Sequence, residues 1–158
     1  MSMSNFVIRE AILPALTATT KEEAIRQMVK SLQQAGYFRE SEIEEIVAAV
    51  MRREQLGSTG IGRSIAIPHS RFGGVDRLIG TVAISQEGIP FDSIDGEPVH
   101  ILILLVSPQD RPGDHLRALE AVVRLMRDDR YVKELRQTTT RDAIWHLLDS
   151  AQPTWNHQ

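Results

Sequence analysis

Val99-His100-Ile101-Leu102-Ile103-Leu104-Leu105-Val106 is the stretch that decides the fold. From Ile101 to Val106 every residue is apolar, far short of the ~20 residues that span a bilayer. A strand with one wet face alternates apolar and polar residues, whereas an unbroken apolar run suits a strand covered on both faces. The reading is therefore a sheet flanked by helices. Working outward, Leu78 to Ile84 reads as another strand, and Ile89 to Pro98 as a turn-rich connection containing Asp95-Gly96. Ser64-Ile65-Ala66-Ile67 reads as a short strand ended by Pro68, and Phe6-Val7-Ile8 as a first strand before a turn at Pro14.

The helices announce themselves by caps and period. Thr20-Lys21-Glu22-Glu23 has capping-box form, and Ala24, Ile25, Met28, Val29 and Leu32 recur behind it at helical spacing, with Gly36 as a stop. Ser41-Glu42-Ile43-Glu44 repeats the capping pattern before the stripe Ile43, Ile46, Val47, Val50 and Met51, ending near Glu54. A third long helix is expected from Asp114 to Met126 on Leu116, Leu119, Val122, Val123 and Met126. Tyr131 to Arg136 is a short helix, and Thr140 caps a last one carrying Ala143, Ile144, Leu147 and Leu148. The order β-α-α-β-β-β-α-α-α describes one α/β domain over residues 1–150, a three-layer α/β/α sandwich with a mixed sheet. Residues 151–158 read as a loose C-terminal tail.

The chain has 158 residues, enough for one domain with a full core. It has no cysteine, which excludes disulfide scaffolds, thiolate zinc sites and a cysteine nucleophile. A net charge of −3 argues against a dedicated nucleic-acid binder. Met1 to Glu10 lacks the basic region and cleavage site of a signal peptide, so a cytoplasmic protein is expected.

Gly57-Ser58-Thr59-Gly60-Ile61-Gly62-Arg63-Ser64 fits a phosphate-binding P-loop except that Arg63 replaces the lysine. That motif needs a strand before and a helix after it; here the order is reversed. Two other readings remain, a tight glycine turn and an amide-rich loop that helps shape an anion site near a histidine. That histidine is His69, placed by Pro68 at the rim of the sheet, where α/β folds put chemistry. From position alone it is either a functional imidazole, neutral near pH 7 and competent as a nucleophile, or an ordinary loop histidine. His115 opens the third long helix, where the helix dipole opposes protonation. A functional His115 is then a neutral hydrogen-bond donor; the plainer reading is a first-turn residue facing solvent. His100, His146 and His157 receive no role. A zinc site from His69, His115 and a carboxylate is chemically possible, but no metal-ligand spacing supports it, and no metal or cofactor is assigned.

Together, Arg53-Glu54, Gly57 to Gly62, Ile65-Ala66-Ile67-Pro68-His69, Phe91-Asp92-Ser93-Ile94-Asp95-Gly96, Pro98-Val99 and His115-Leu116 carry a resemblance. From about Phe6 to Asp149 the chain resembles the IIA domains of the bacterial phosphoenolpyruvate-dependent phosphotransferase system, of the fructose/mannitol type, a group that includes the nitrogen-branch IIA protein. The resemblance implies a phosphoryl relay. HPr would donate to His69 at Nε2, and a separate IIB protein would accept the group on a cysteine. His115 would contact phosphoryl oxygens without being phosphorylated, and Arg53, 16 residues before His69 (69 − 53), would stabilise the phosphate. No metal is required, since a phosphohistidine carries fewer charges to neutralise than a triphosphate. The alternative is a regulatory module whose His69 phosphorylation state controls a transporter, kinase or regulator, with contact to a membrane permease possible. Arg63-Ser64 and Ser70-Arg71 depart from the residues usual in the group, and Arg71 adds a cation beside the nucleophile.

Overall fold

The computed structural model describes residues 1–151. Two 3-10 turns, Met3–Asn5 and Arg9–Ala11, lead into helices α1 (Lys21–Gln34) and α2 (Ile43–Leu56). Strands β1 (Gly60–Gly62), β2 (Ile65–Ala66), β3 (His69–Arg71), β4 (Ile79–Ile89) and β5 (Val99–Ser107) follow. Helices α3 (Pro112–Leu125), α4 (Asp129–Arg136) and α5 (Arg141–Ser150) complete the order. Of the tail expected over 151–158, residues 152–158 lie outside the described residues.

β5 is the centre of the sheet. β4 runs antiparallel along one edge of it, from Ile79 opposite Val106 to Ile84 opposite Ile101. A residue has only two ladder edges, so β2 and β3, both parallel to β5, share the other. Their registers are Ile65 with Ile101 and His69 with Leu105, and the offset of 36 is the same in both (101 − 65 and 105 − 69). β2 and β3 are thus one line of chain interrupted at Pro68, which has no N–H to give. Its carbonyl still accepts from the Leu105 amide at 3.1 Å, while the Ile67 amide donates to Thr59 O at 3.0 Å on the far side. Pro68 therefore punctuates the strand instead of ending it, and the chain expected to be a loop at Gly60 to Gly62 is an edge strand antiparallel to β2.

Ile101 to Val106 is fully buried throughout, and its side chains alternate between two clusters. Leu102, Leu104 and Val106 pack with Ala24, Ile25 and Met28 of α1 and Ile46, Val47 and Val50 of α2. Ile101, Ile103 and Leu105 pack with Ala118 and Val122 of α3, Leu135 of α4, and Ile144 and Leu148 of α5. This is the expected three-layer sandwich with a mixed sheet.

Local expectations held unevenly. Thr20 accepts from the Glu23 amide at 3.2 Å and Thr140 from the Ala143 amide at 3.1 Å, as the cap patterns require. Ser41 does not cap α2. Glu40–Glu42 is a 3-10 turn whose Glu42 carboxylate accepts from the Arg39 amide at 2.8 Å, and the helix begins at Ile43. The strand expected at Phe6 to Ile8 is not a ladder: Val7 and Leu13 make isolated bridges to Gly80 and Ala83, and the 3-10 turn Arg9–Ala11 separates them. The segment still covers the outer edge of β4, donating from Ile8, Leu13 and Leu16 to Gly80, Val82 and Ile84 at 2.8, 3.0 and 2.9 Å.

Candidate functional site

His69 opens β3, and its ring is fixed by a 2.7 Å hydrogen bond between Nδ1 and the Ile67 carbonyl. A carbonyl only accepts, so Nδ1 carries the proton and, in the neutral ring, Nε2 keeps its lone pair. Burial is the main reason the imidazole lies below its ordinary pKa, with the Arg53 charge acting in the same direction. The Ile67 hydrogen bond and the Glu54 charge oppose the shift without reversing it.

His115 sits in the first turns of α3, which begins with Pro112 at its first position, and its ring lies edge-on to His69 with centroids 5.2 Å apart. It is buried, not solvent-facing, because 115, 118 and 122 form the inward stripe of α3. Leu116, expected in that stripe, is instead 58% exposed beside it. The Nδ1 of His115 pairs with the hydroxyl of Ser107, the last residue of β5. Burial, with smaller pushes from His69 and Arg71, lowers its pKa to about 4. Two imidazoles are thus neutral at pH 7 and face each other at the end of the parallel strands, where open α/β sheets place ligands.

Arg53, in the last turn of α2, donates from Nη1 to Gly57 O at 2.8 Å, which fastens the start of the glycine loop to the helix that precedes it. Its charge reaches His69. The neighbouring Glu54, part of the resemblance, received no role of its own from the sequence. Its side chain is only 2% exposed and pairs with Lys21 Nζ at 3.0 Å. It also accepts from the Thr59 amide at 3.2 Å and from the Thr59 hydroxyl. Lys21 in turn lies 4.8 Å above the Phe91 ring. The available signal was a carboxylate on the buried stripe, at the spacing Val47, Val50, Glu54. Ser107 was also missed, and nothing in the sequence separates it from other strand-end serines.

Three of the loop's amides are already committed. Thr59 N is committed to Glu54, and Gly60 N donates to Ser58 Oγ at 3.0 Å. The Arg63 amide donates to Asp95 Oδ2 at 3.0 Å. The loop's glycine is needed for packing: a Cβ on Gly60 would overlap Ser93 Oγ. Among the described residues no group of three His, Cys, Asp or Glu side chains is placed to hold a metal. His100 is half-buried, with Nδ1 on Ser85 O at 2.9 Å. His146 is exposed, and His157 lies outside the described residues.

A half-buried, neutral imidazole with a free Nε2, a second, buried neutral imidazole beside it and a guanidinium nearby suit a carrier of a small anionic group. Residues 5–151 match the family described as phosphoenolpyruvate-dependent sugar phosphotransferase system, EIIA 2, and the chain belongs to that family. It is 34% identical over 148 residues to a nitrogen regulatory protein of Bradyrhizobium diazoefficiens, covering 94% of this chain and 95% of the relative. Nitrogen regulatory protein IIA-Ntr of Neisseria meningitidis has the same fold, with a TM-score of 0.82 at 23% identity over 92% of this chain and 97% of that one. The Escherichia coli enzyme IIA for mannitol, solved in complex with phosphorylated mannitol IIB, superposes with a TM-score of 0.74 at 26% identity. That match covers 90% of this chain and 96% of the other.

Proposed function

We propose that His69 carries a phosphoryl group on Nε2, taken from phosphohistidine on HPr and passed to a separate acceptor. The observation that carries this reading is the Nδ1 bond to Ile67 O, which leaves Nε2 as the basic nitrogen of a neutral ring. In the forward step the Nε2 lone pair forms the new N–P bond. The donor's N–P bond breaks, and its electron pair stays on the donor imidazole. Nδ1–H remains on Ile67 O, so the charge that develops on the ring is stabilised by an existing hydrogen bond. The reverse electron flow hands the group to the cysteine thiolate of a IIB protein.

His115 acts as a neutral donor. With Ser107 O–H donating to Nδ1, Nε2–H is the tautomer left to bond a phosphoryl oxygen. A pKa near 4 keeps His115 in that form at any physiological pH. Arg53 supplies charge to the transferring group. No helix among the described residues is long and apolar enough to cross a membrane, and a cytoplasmic carrier of residues 1–150 fits this relay.

Similarity to the Bradyrhizobium nitrogen regulatory protein along almost its whole length favours a second reading of what lies downstream: the phosphorylation state of His69 controls binding to a transporter, kinase or regulator. Nitrogen-15 NMR of the phosphoprotein tests the shared step. Phosphorylation of His69 at Nε2 with Nδ1 still protonated is expected; modification at Nδ1 or at another residue contradicts it. Incubating the phosphoprotein with a IIB domain then separates the readings, since relay demands transfer and regulation does not.

A further inference from the structure

We propose that Arg71 is a second guanidinium contact for the phosphoryl group on His69, reaching it from the α3 side of the sheet while Arg53 approaches from the α2 side. The inference rests on His69 being the phosphoryl carrier.

β3 pairs His69 with Leu105, Ser70 with Val106 and Arg71 with Ser107. Strand side chains alternate, so His69 and Arg71 share one face and Ser70 takes the other. The face is the α3 side: Leu105 packs in the cluster with Ala118 and Val122, and Ser107 holds His115 Nδ1. Arg71, Ser107, His115 and His69 therefore meet at one end of the sheet, and the Arg71 charge is felt at His115.

Arg71 is exposed, and its guanidinium has no carboxylate partner among the described residues. Arg9, Arg26, Arg63, Arg111 and Arg117 all have one. Arg53, whose charge also reaches His69, is engaged on Gly57 O, and Lys21 on Glu54. An uncommitted guanidinium can offer its planar fork to phosphoryl oxygens without giving up an existing pair. The groups that face the phosphoryl position are His115 from α3, Arg71 from β3 and Arg53 from α2, with the Glu54–Lys21 pair behind.

The test compares wild type, Arg71→Gln, Arg71→Lys and, as a distant control, Arg63→Gln, each phosphorylated with phosphoenolpyruvate, enzyme I and HPr. Phosphorus-31 NMR titration should show the phosphoryl group of Arg71→Gln titrating roughly half to one pH unit higher than wild type, because a nearby cation favours the dianion. The transfer equilibrium should move roughly three- to tenfold toward phospho-HPr, the scale of a solvent-exposed charged contact. Arg71→Lys should recover part of both effects, and Arg63→Gln should match wild type. Titration and equilibrium in Arg71→Gln identical to wild type would overturn the contact while leaving the carrier reading intact. A wild-type protein that takes no phosphoryl group on His69 would overturn both.

Discussion

Glu54 shows how a single residue ties the site to the core. Its carboxylate receives Lys21 from α1 and both polar groups of Thr59 from the loop, so α1, α2 and the start of β1 are joined at a point whose charge reaches His69. Breaking a buried pair from one side leaves the partner's charge and the Thr59 amide uncompensated. Glu54→Ala should therefore lower stability by about 3 kcal/mol in urea unfolding; a loss indistinguishable from that of an exposed substitution would contradict the pairing. His115 makes a pH prediction of definite sign. Its folded pKa, near 4, lies below the ordinary 6.5, so between those values the unfolded chain binds a proton that the folded chain refuses. Stability from this group is full above pH 6.5 and is lost as the pH falls toward 4. Urea midpoints at pH 7.5 and pH 5 should separate more for wild type than for His115→Gln, and equal separations would contradict the assignment.

The turn between β1 and β2 is an element built against local preference. Arg63 and Ser64 both have positive φ, 58° and 67°, in a conformation that favours Asn-Gly and costs ordinary residues free energy. The Arg63–Asp129 ion pair that accompanies it is solvent-exposed, with side chains 43% and 91% exposed, and such pairs contribute little. Replacing Arg63-Ser64 by Asn-Gly should stabilise the protein by about 1–2 kcal/mol and raise Tm by several degrees; an unchanged or lower Tm would show that the pair outweighs the strain. Elements of this kind also mark the limit of what was legible. The long helices followed from their apolar period and the β4–β5 core from an unbroken apolar run, because each is decided by residues near in sequence. The continuation of β2 through Pro68 into β3 was not legible, since it depends on the register against Leu105, 36 residues away. Nor was the 3-10 break in the N-terminal edge segment, where tertiary bridges to Gly80 and Ala83 set the conformation.

At the scale of the whole molecule, two layers of helices bury the sheet on both faces and leave chemistry only at its ends. The line β2–β3 and strand β5 run parallel, so His69 and Ser107 emerge at the same end. The chain turns there into α3 and brings His115 against His69. Leu56 at the end of α2 and Leu116 on α3 are 85% and 58% exposed, leaving apolar surface on the helices that carry Arg53 and His115. His69, His115 and Arg53 were singled out through the family resemblance, and the fold brings the two imidazoles together; the Ile67 bond that leaves Nε2 of His69 basic and the Ser107 bond that orients His115 required the folded chain. The most direct measurement is intact-protein mass after incubation with phosphoenolpyruvate, enzyme I and HPr, for wild type and His69→Ala of verified fold. One acid-labile phosphoryl group on wild type and none on His69→Ala is the expected result. Equal labelling of the two proteins, or no labelling of wild type by HPr from the same organism, would contradict the assignment of His69 as the phosphoryl carrier.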